Sequence, residues 1–260
     1  MVSSPEQRAC LILVMGGARG GKSTFAERLA ARQAAVIAAA GGAPTVTYLA
    51  TSEANDPEMV ARVAAHRAAR SATWVTLECP LEVGAAVRAA AAGSIFLLDC
   101  VTFWVSNLLF AAGGLGGTEP EGLGNFDKTF IPREVEVTVA ARVTAALDDL
   151  LAALGETGST MIAVSNEVGF GVVPEYPIAR LYRDELGRAN RRLADAAESM
   201  YLLVAGIPVE LKALAADPFG ADPVADGPRP AGPRTTDPFA TDPSAPHTPS
   251  SSPTEEESPA

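Results

Sequence analysis

The sequence predicts an α/β protein, a mostly parallel sheet flanked by helices. Two kinds of segment and their alternation predict it. Short apolar runs such as CLILVMG (10–16) and SIFLLDC (94–100) are bounded by glycines or a lone carboxylate, as strands buried on both faces are. Other stretches have helical spacing. In STFAERLAARQAA, Phe25, Leu29 and Ala30 share one side, with Glu27, Arg28 and Arg32 elsewhere. The two kinds alternate through residues 8–212, and repeated β-α-β units build parallel sheets covered by helices.

In order, CLILVMG is a strand, STFAERLAARQAA a helix and TVTYLATS a second strand. DPEMVARVAAHRAAR reads as a helix, with Asp56 as N-cap and Pro57 at its first position. TWVTLE alternates like a strand, LEVGAAVRAAA is helical and SIFLLDC is a buried strand. VTFWVSNLLFAA is a helix, and the glycine-rich residues 112–126 form a loop. A long helix, EVEVTVAARVTAALDDLLAAL, precedes the strand and loop STMIAVSNEVG. IARLYRDELGRANRRLADAAE is the last long helix, and SMYLLVAGIPVELK ends the body as a strand with a hairpin-like extension.

The 260 residues are 48% hydrophobic, enough for one sizeable core. The net charge of −11 argues against nucleic-acid or anionic-membrane partners, which need a basic surface. Cys10, Cys79 and Cys100 lack metal-ligand spacing and suit buried thiols in a reducing compartment. The N-terminus does not read as a secretion signal and no run is long enough to span a bilayer, so the expected location is cytoplasmic. Composition divides the chain into an N-terminal extension (1–10), the α/β domain (11–212) and a Pro/Asp/Ser-rich tail (213–260). From Asp217 onward lie 11 of the 20 prolines, a composition that favours disorder.

GGARGGKS, from Gly16 through Gly17, Ala18, Arg19, Gly20, Gly21 and Lys22 to Ser23, matches G-x-x-x-x-G-K-[ST]. A buried strand precedes it and an amphipathic helix follows, the setting of a phosphate-binding loop. Its backbone N–H groups can surround phosphate oxygens, aided by the helix N-terminus. Lys22 would reach the β- and γ-phosphates, and the Ser23 hydroxyl would hold Mg²⁺. The fold class is thereby a P-loop NTPase, RecA-like. Asp99, ending SIFLLDC, is the candidate carboxylate for the same Mg²⁺; a strand-end or helix N-cap role is the other reading.

Glu58, Arg62, His66 and Arg70 recur every four residues and make one polar helix stripe, with Met59, Val60 and Val63 on another side. Arginines beside His66 favour its neutral, nucleophilic form and could hold phosphates. Periodicity alone fits a solvated helix face better.

Several long pieces together narrow the choice. They are ILVMGGARGGKSTFAE, TYLATSEANDPEMVARVAAHRAARSATWVTLECP, LLDCVTFWVSNLLF and VSNEVGFGVVPEYPIARLYRDELGRANRRLADAAESMYLLVAGIPVELK. In this order they resemble the bifunctional adenosylcobinamide kinase / adenosylcobinamide-phosphate guanylyltransferase family of cobalamin biosynthesis. The resemblance implies phosphorylation of adenosylcobinamide by ATP or GTP. GMP transfer from GTP to adenosylcobinamide phosphate follows, through a guanylyl-histidine. It implies His66 as that histidine and Ala50, Thr51, Ser52, Arg67, Ala68, Ala69, Arg70, Glu78 and Asp99 as lining the GTP site. It also implies a homotrimer. Where many members have two adjacent histidines, the first position here is Ala65. Gly20 replaces the usual serine of the phosphate loop, and the 112–126 loop is longer than usual. Asn166 and Glu167 are placed at a strand end on the ligand side of the sheet. Arg180, Arg183, Arg188, Arg191 and Arg192 read either as contacts to phosphate or a subunit, or as surface salt bridges.

Two other readings stay open from residues alone. One is a P-loop small-molecule kinase without guanylyl transfer, which would form no covalent nucleotide. The other is a GTP-binding regulatory module, against which the missing N-K-x-D guanine motif counts.

Overall fold

The computed structural model describes residues 9–52, 71, 73–112 and 130–215. The chain runs β1 (Cys10–Gly16), α1 (Lys22–Ala39), β2 (Val46–Ala50), β3 (Val75–Glu78) and α2 (Val83–Ala89). It continues through β4 (Ile95–Asp99), α3 (Val101–Ala112), α4 (Arg133–Thr157), β5 (Thr160–Val164) and α5 (Pro177–Ala196). β6 (Ser199–Val204), β7 (Ile207–Glu210) and the short α6 (Leu211–Leu214) close the described body.

The strands form one seven-stranded sheet in the order β3-β2-β4-β5-β1-β6-β7. All neighbours are parallel except β6 and β7. That exception is a hairpin whose two-residue turn, Ala205–Gly206, has positive φ at both positions (51° and 83°). Such a turn matches the right-handed twist of the paired strands. The strand after the phosphate loop's helix is not the neighbour of β1. β5 lies between β1 and β4, the RecA-like arrangement.

Helices cover both faces, so the central strands are apolar throughout rather than alternating. On one face Leu11, Leu13 and Met15 of β1 join Phe96, Leu98, Trp104, Leu150 and Leu186. On the other, Ile12 and Val14 meet Phe25, Ala26, Leu29 and Ala30 of α1. The predicted side of α1 is thus the buried one. In α3 the buried residues Val101, Trp104, Val105, Leu108 and Leu109 keep the spacing of a single helical stripe. Arg88 of α2 ties down α4 through Asp149 (2.6 Å) and Glu156 (2.7 Å). These are surface pairs of small energetic weight.

Four expectations need adjusting. α6 runs to Leu214, past the boundary set at 212, because Glu210 accepts hydrogen bonds from the Lys212 and Ala213 amides and caps a further turn. β1 begins at Cys10, inside the expected extension. Ala112 belongs to α3 rather than the loop. β5 stops at Val164, so Asn166 and Glu167 lie just beyond the strand. The predicted helix from Asp56 to Arg70, the rest of the 112–126 loop and residues 216–260 lie outside the described residues.

The last long helix holds an unexpected buried carboxylate. Glu185 is 2% exposed on the inner stripe of α5, with Arg188 as its ion-pair partner. Burial pushes its carboxyl above the ordinary range, and Arg188 partly offsets this. A raised folded pKa means the contribution to stability is fully present below the unfolded pKa. It is lost as pH rises through the folded one. Glu185→Gln should therefore gain stability relative to wild type between pH 4 and pH 7, seen in urea midpoints at both values; the opposite trend would contradict the burial argument.

Candidate functional site

The strand ends at the carboxyl edge of the sheet gather the candidate residues, as open parallel sheets do with their ligands. Register fixes the row. Ala50 lies opposite both Glu78 and Asp99, and Asp99 opposite Val164, which in turn pairs with Val14 of β1.

At β1 the chain turns sharply into the loop. Gly16 has φ 149°, and a Cβ there would sit 2.6 Å from the Leu203 carbonyl oxygen of β6. Only glycine allows the loop to leave the strand so close to its neighbour. Gly17, Ala18 and Arg19 are exposed, Arg19 with φ 57°. Gly20 N–H donates to the Gly17 carbonyl (3.2 Å), a bond that needs no side chain at this serine-to-glycine position. Gly21 is the left-handed N-cap of α1 (φ 84°) and offers no side-chain cap. The first amides of α1 are therefore left to the loop's interior, where an oxyanion can take them. Lys22 is buried, 8% exposed, and folds back with Nζ 2.6 Å from the Gly17 carbonyl oxygen. Ser23 is half-buried in the first turn.

Asp99 is half-buried at the end of β4, and its carboxylate accepts from the Tyr48 hydroxyl at 2.9 Å. Tyr48 comes from β2, the adjacent strand, and was not singled out in the sequence. A cross-strand partner becomes visible only when register is known. Ser23 and Asp99 offer one hydroxyl and one carboxylate. Among the described residues no group of three or more His, Cys, Asp or Glu side chains could form a metal cage. Such a sparse oxygen set suits Mg²⁺, which keeps waters and phosphate oxygens in its shell.

Thr51 differs from its expected place on a ligand surface. Its side chain is fully buried, and its hydroxyl donates to the Cys100 carbonyl and accepts from the Cys100 amide, both at 2.7 Å. The Thr51 hydroxyl staples β2 to the end of β4. Asn107 of α3 secures the same corner, donating to the Thr51 carbonyl (2.8 Å) and the Pro80 carbonyl (3.1 Å). Ala50 and Ser52 on either side are half-buried. Glu78 is exposed at the end of the edge strand β3, four strand spacings from β1. At about 4.8 Å per spacing it is roughly 19 Å from the phosphate loop across the sheet. The described strands do not bring it to the loop. His66, Arg67, Ala68, Ala69 and Arg70 lie outside the described residues.

Beyond β5 a buried polar network holds the chain. Asn166 donates to the Thr102 hydroxyl oxygen from its backbone N–H (3.1 Å) and from Nδ2 (3.0 Å). Asn190 Nδ2 donates to the Asn166 carbonyl (3.0 Å), and Ser165 Oγ donates to Asn190 Oδ1 (2.6 Å). The five arginines of α5 are mostly occupied. Arg180 donates to the Pro174 and Glu175 carbonyls, Arg183 pairs with Asp184, Arg188 with Glu185 and Arg192 with Asp148.

The three cysteines are free thiols, Cys79 and Cys100 buried and Cys10 half-buried. Burial, then the hydrogen bond and charge of Glu198, push Cys10 up to about 12. Burial raises Cys79 and Cys100 as well, the latter with help from the Asp99 charge. None is poised as a thiolate.

Residues 12–211 match the family described as cobinamide kinase / cobinamide phosphate guanyltransferase, CobU. The bifunctional adenosylcobalamin biosynthesis protein CobU of Salmonella typhimurium is 40% identical over 203 residues, which are 78% of this chain and 99% of that protein. The bifunctional protein CobP of Pseudomonas aeruginosa is 39% identical over 201 residues, 77% of this chain and 96% of its own length. CobU of Escherichia coli is 38% identical over 204 residues, again 78% of this chain and 99% of that protein. With a phosphate loop on a RecA-like sheet and a match through nearly the whole described body, this chain belongs to the cobinamide kinase / cobinamide phosphate guanyltransferase family.

Proposed function

We propose that this chain phosphorylates adenosylcobinamide with a nucleoside triphosphate and then transfers GMP from GTP to the resulting phosphate. The observation that supports it most is the phosphate loop at Gly16–Ser23, at the same sheet edge as Asp99, within a body that matches the family over residues 12–211.

In the first reaction the loop amides and Lys22 hold the triphosphate. The hydroxyl oxygen of the aminopropanol arm bonds to the γ-phosphorus, and the bond to the β-phosphate oxygen breaks. Ser23 and Asp99 would hold Mg²⁺, with Tyr48 fixing the Asp99 carboxylate. When bound there, Mg²⁺ would supply charge neutralisation for the transferring phosphoryl group. Lys22 would exchange its internal bond to Gly17 for phosphate oxygens, so the loop is preformed and its cation desolvated before substrate arrives.

In the second reaction neutral His66 attacks the α-phosphorus of GTP and pyrophosphate leaves. The phosphate of adenosylcobinamide phosphate then attacks the phosphoramidate, giving adenosylcobinamide-GDP and freeing the imidazole. Arg67, Arg70, Ala50, Ser52 and Glu78 are the proposed surroundings of that GTP. We place the protein in the cytoplasm. A homotrimer is the expected assembly, with the exposed Phe170, Val172 and Val173 as candidates for subunit or corrinoid contact.

Incubation with α-labelled GTP followed by denaturation should leave acid-labile, alkali-stable label on the protein, absent in His66→Ala. Label retained in that variant would remove His66 from the mechanism. Turnover of adenosylcobinamide with no label in the wild type would leave only the kinase reaction.

A further inference from the structure

The kinase step must take a proton from an alcohol, and among the described residues those assigned so far leave that proton without a destination. Lys22 is a cation. Asp99 is engaged by Tyr48 and is the proposed Mg²⁺ ligand. Cys100, the next residue, is buried with its thiol held protonated. Glu78 stands four strands from the phosphate loop.

The strand order singles out another carboxylate. β5 lies directly between β1 and β4, and Val164 at its end pairs with both Val14 and Asp99. The chain leaving β5 at 165–167 therefore emerges between the phosphate loop and Asp99, about one strand spacing, roughly 5 Å, from either strand. This exit is fixed rather than loose. Ser165 N–H donates to the Val14 carbonyl at 2.9 Å, tying it to β1. Thr102 from α3 and Asn190 from α5 grip Asn166 on its amide and carbonyl sides. Ser165 and Asn190 are 0% and 6% exposed, so the grip is closed to water. The Asn166 Oδ1 atom is buried at this point with no hydrogen-bond donor among the described residues. Glu167 follows at once. It is half-buried, with Oε1 accepting the Gly169 amide at 2.6 Å, a bond that orients the carboxylate.

We propose that Glu167 is the general base of the phosphoryl transfer. The inference rests on the kinase reading above. The Glu167 carboxylate takes the proton of the acceptor hydroxyl as its oxygen bonds to the γ-phosphorus. The electron pair of the breaking bond leaves with the nucleoside diphosphate. Asn166 is a positioning residue, holding the exit of β5 so that Glu167 meets the hydroxyl between loop and Asp99. The guanylyl transfer has no use for this base, because the attacking oxygen of a phosphate monoester is already ionised at neutral pH.

That asymmetry gives the test. Glu167→Gln keeps an oxygen for the Gly169 amide and removes the base. Kinase turnover of adenosylcobinamide should fall about 100-fold or more, with KM values within about twofold. The acidic limb of the kcat–pH profile should flatten. GMP transfer from GTP to supplied adenosylcobinamide phosphate should stay within about twofold of wild type. Kinase turnover near wild type would overturn the assignment. So would an equal loss in both reactions, which marks a structural loop residue. A wild-type protein inactive on adenosylcobinamide, yet active on the supplied phosphate, would overturn the kinase reading and leave the guanylyl step standing.

Discussion

Replacing Lys22 by alanine is expected to remove nearly all phosphoryl transfer while leaving the fold intact. The Nζ atom sits against the Gly17 carbonyl in a position 8% exposed, so its charge is already withdrawn from water. A cation held this way needs little reorganisation when a triphosphate displaces the carbonyl. Losing one such preorganised group costs about 100- to 1,000-fold in turnover. Nucleotide affinity should weaken as well, measured by calorimetry with a non-hydrolysable triphosphate. Lys22→Arg keeps the charge, but its planar fork does not fit the space of a single ammonium on Gly17, so it should rescue little. Unchanged nucleotide affinity in Lys22→Ala would take the phosphate loop out of the mechanism.

Trp104→Ala should give the largest loss of stability of any single change in the described core. The indole is fully buried in the cluster with Val83, Val87, Val139 and Val143, and its Nε1 donates to the Leu81 carbonyl at 2.8 Å. Truncation leaves a cavity and a carbonyl without its donor. The expected loss is about 3–5 kcal/mol. Typical domains have only about 5–15 kcal/mol in total, so this variant will be largely unfolded in mild urea. Trp104→Phe separates the two terms. It keeps most of the ring and removes the donor, for an expected loss of about 1–3 kcal/mol by urea midpoint. A Trp104→Ala variant as stable as Trp104→Phe would show that the site collapses around the gap.

The elements with an uninterrupted pattern are legible in the sequence alone. α3 follows the predicted twelve residues, because its apolar stripe both defines and bounds it. β1 and β4 were legible because a strand buried on both faces has little room for polar residues. The phosphate loop was legible because part of its glycine pattern is dictated locally, as the left-handed φ of 84° at Gly21 shows. The rest depends on contacts between distant parts of the chain. Thr102 and Asn166 are 64 residues apart, and no local pattern announces their bond. The resemblance implies Thr51 as lining the GTP site, and no local pattern announces that Cys100 occupies its hydroxyl from both sides. Glu185 could have been found. It lies four residues after Leu181 and four before Ala189, on the buried stripe, where a charge signals a built ion pair. The distance of Glu78 from the loop follows only from strand order, which crossovers through helices leave open in sequence.

That strand order also governs how the protein is born. β1 is made before the other strands of the sheet, yet its two neighbours, β5 and β6, follow roughly 150 and 190 residues later. The phosphate loop hangs from β1 and leans on Leu203, so it cannot set until the final strands emerge. β2, β3 and β4 can pair with one another well before that. The nascent chain thus carries an apolar strand without its sheet neighbours until β5 is made, a burden for chaperones and a reason for slow, high-contact-order maturation. Nucleotide binding would report the last event of folding rather than the first.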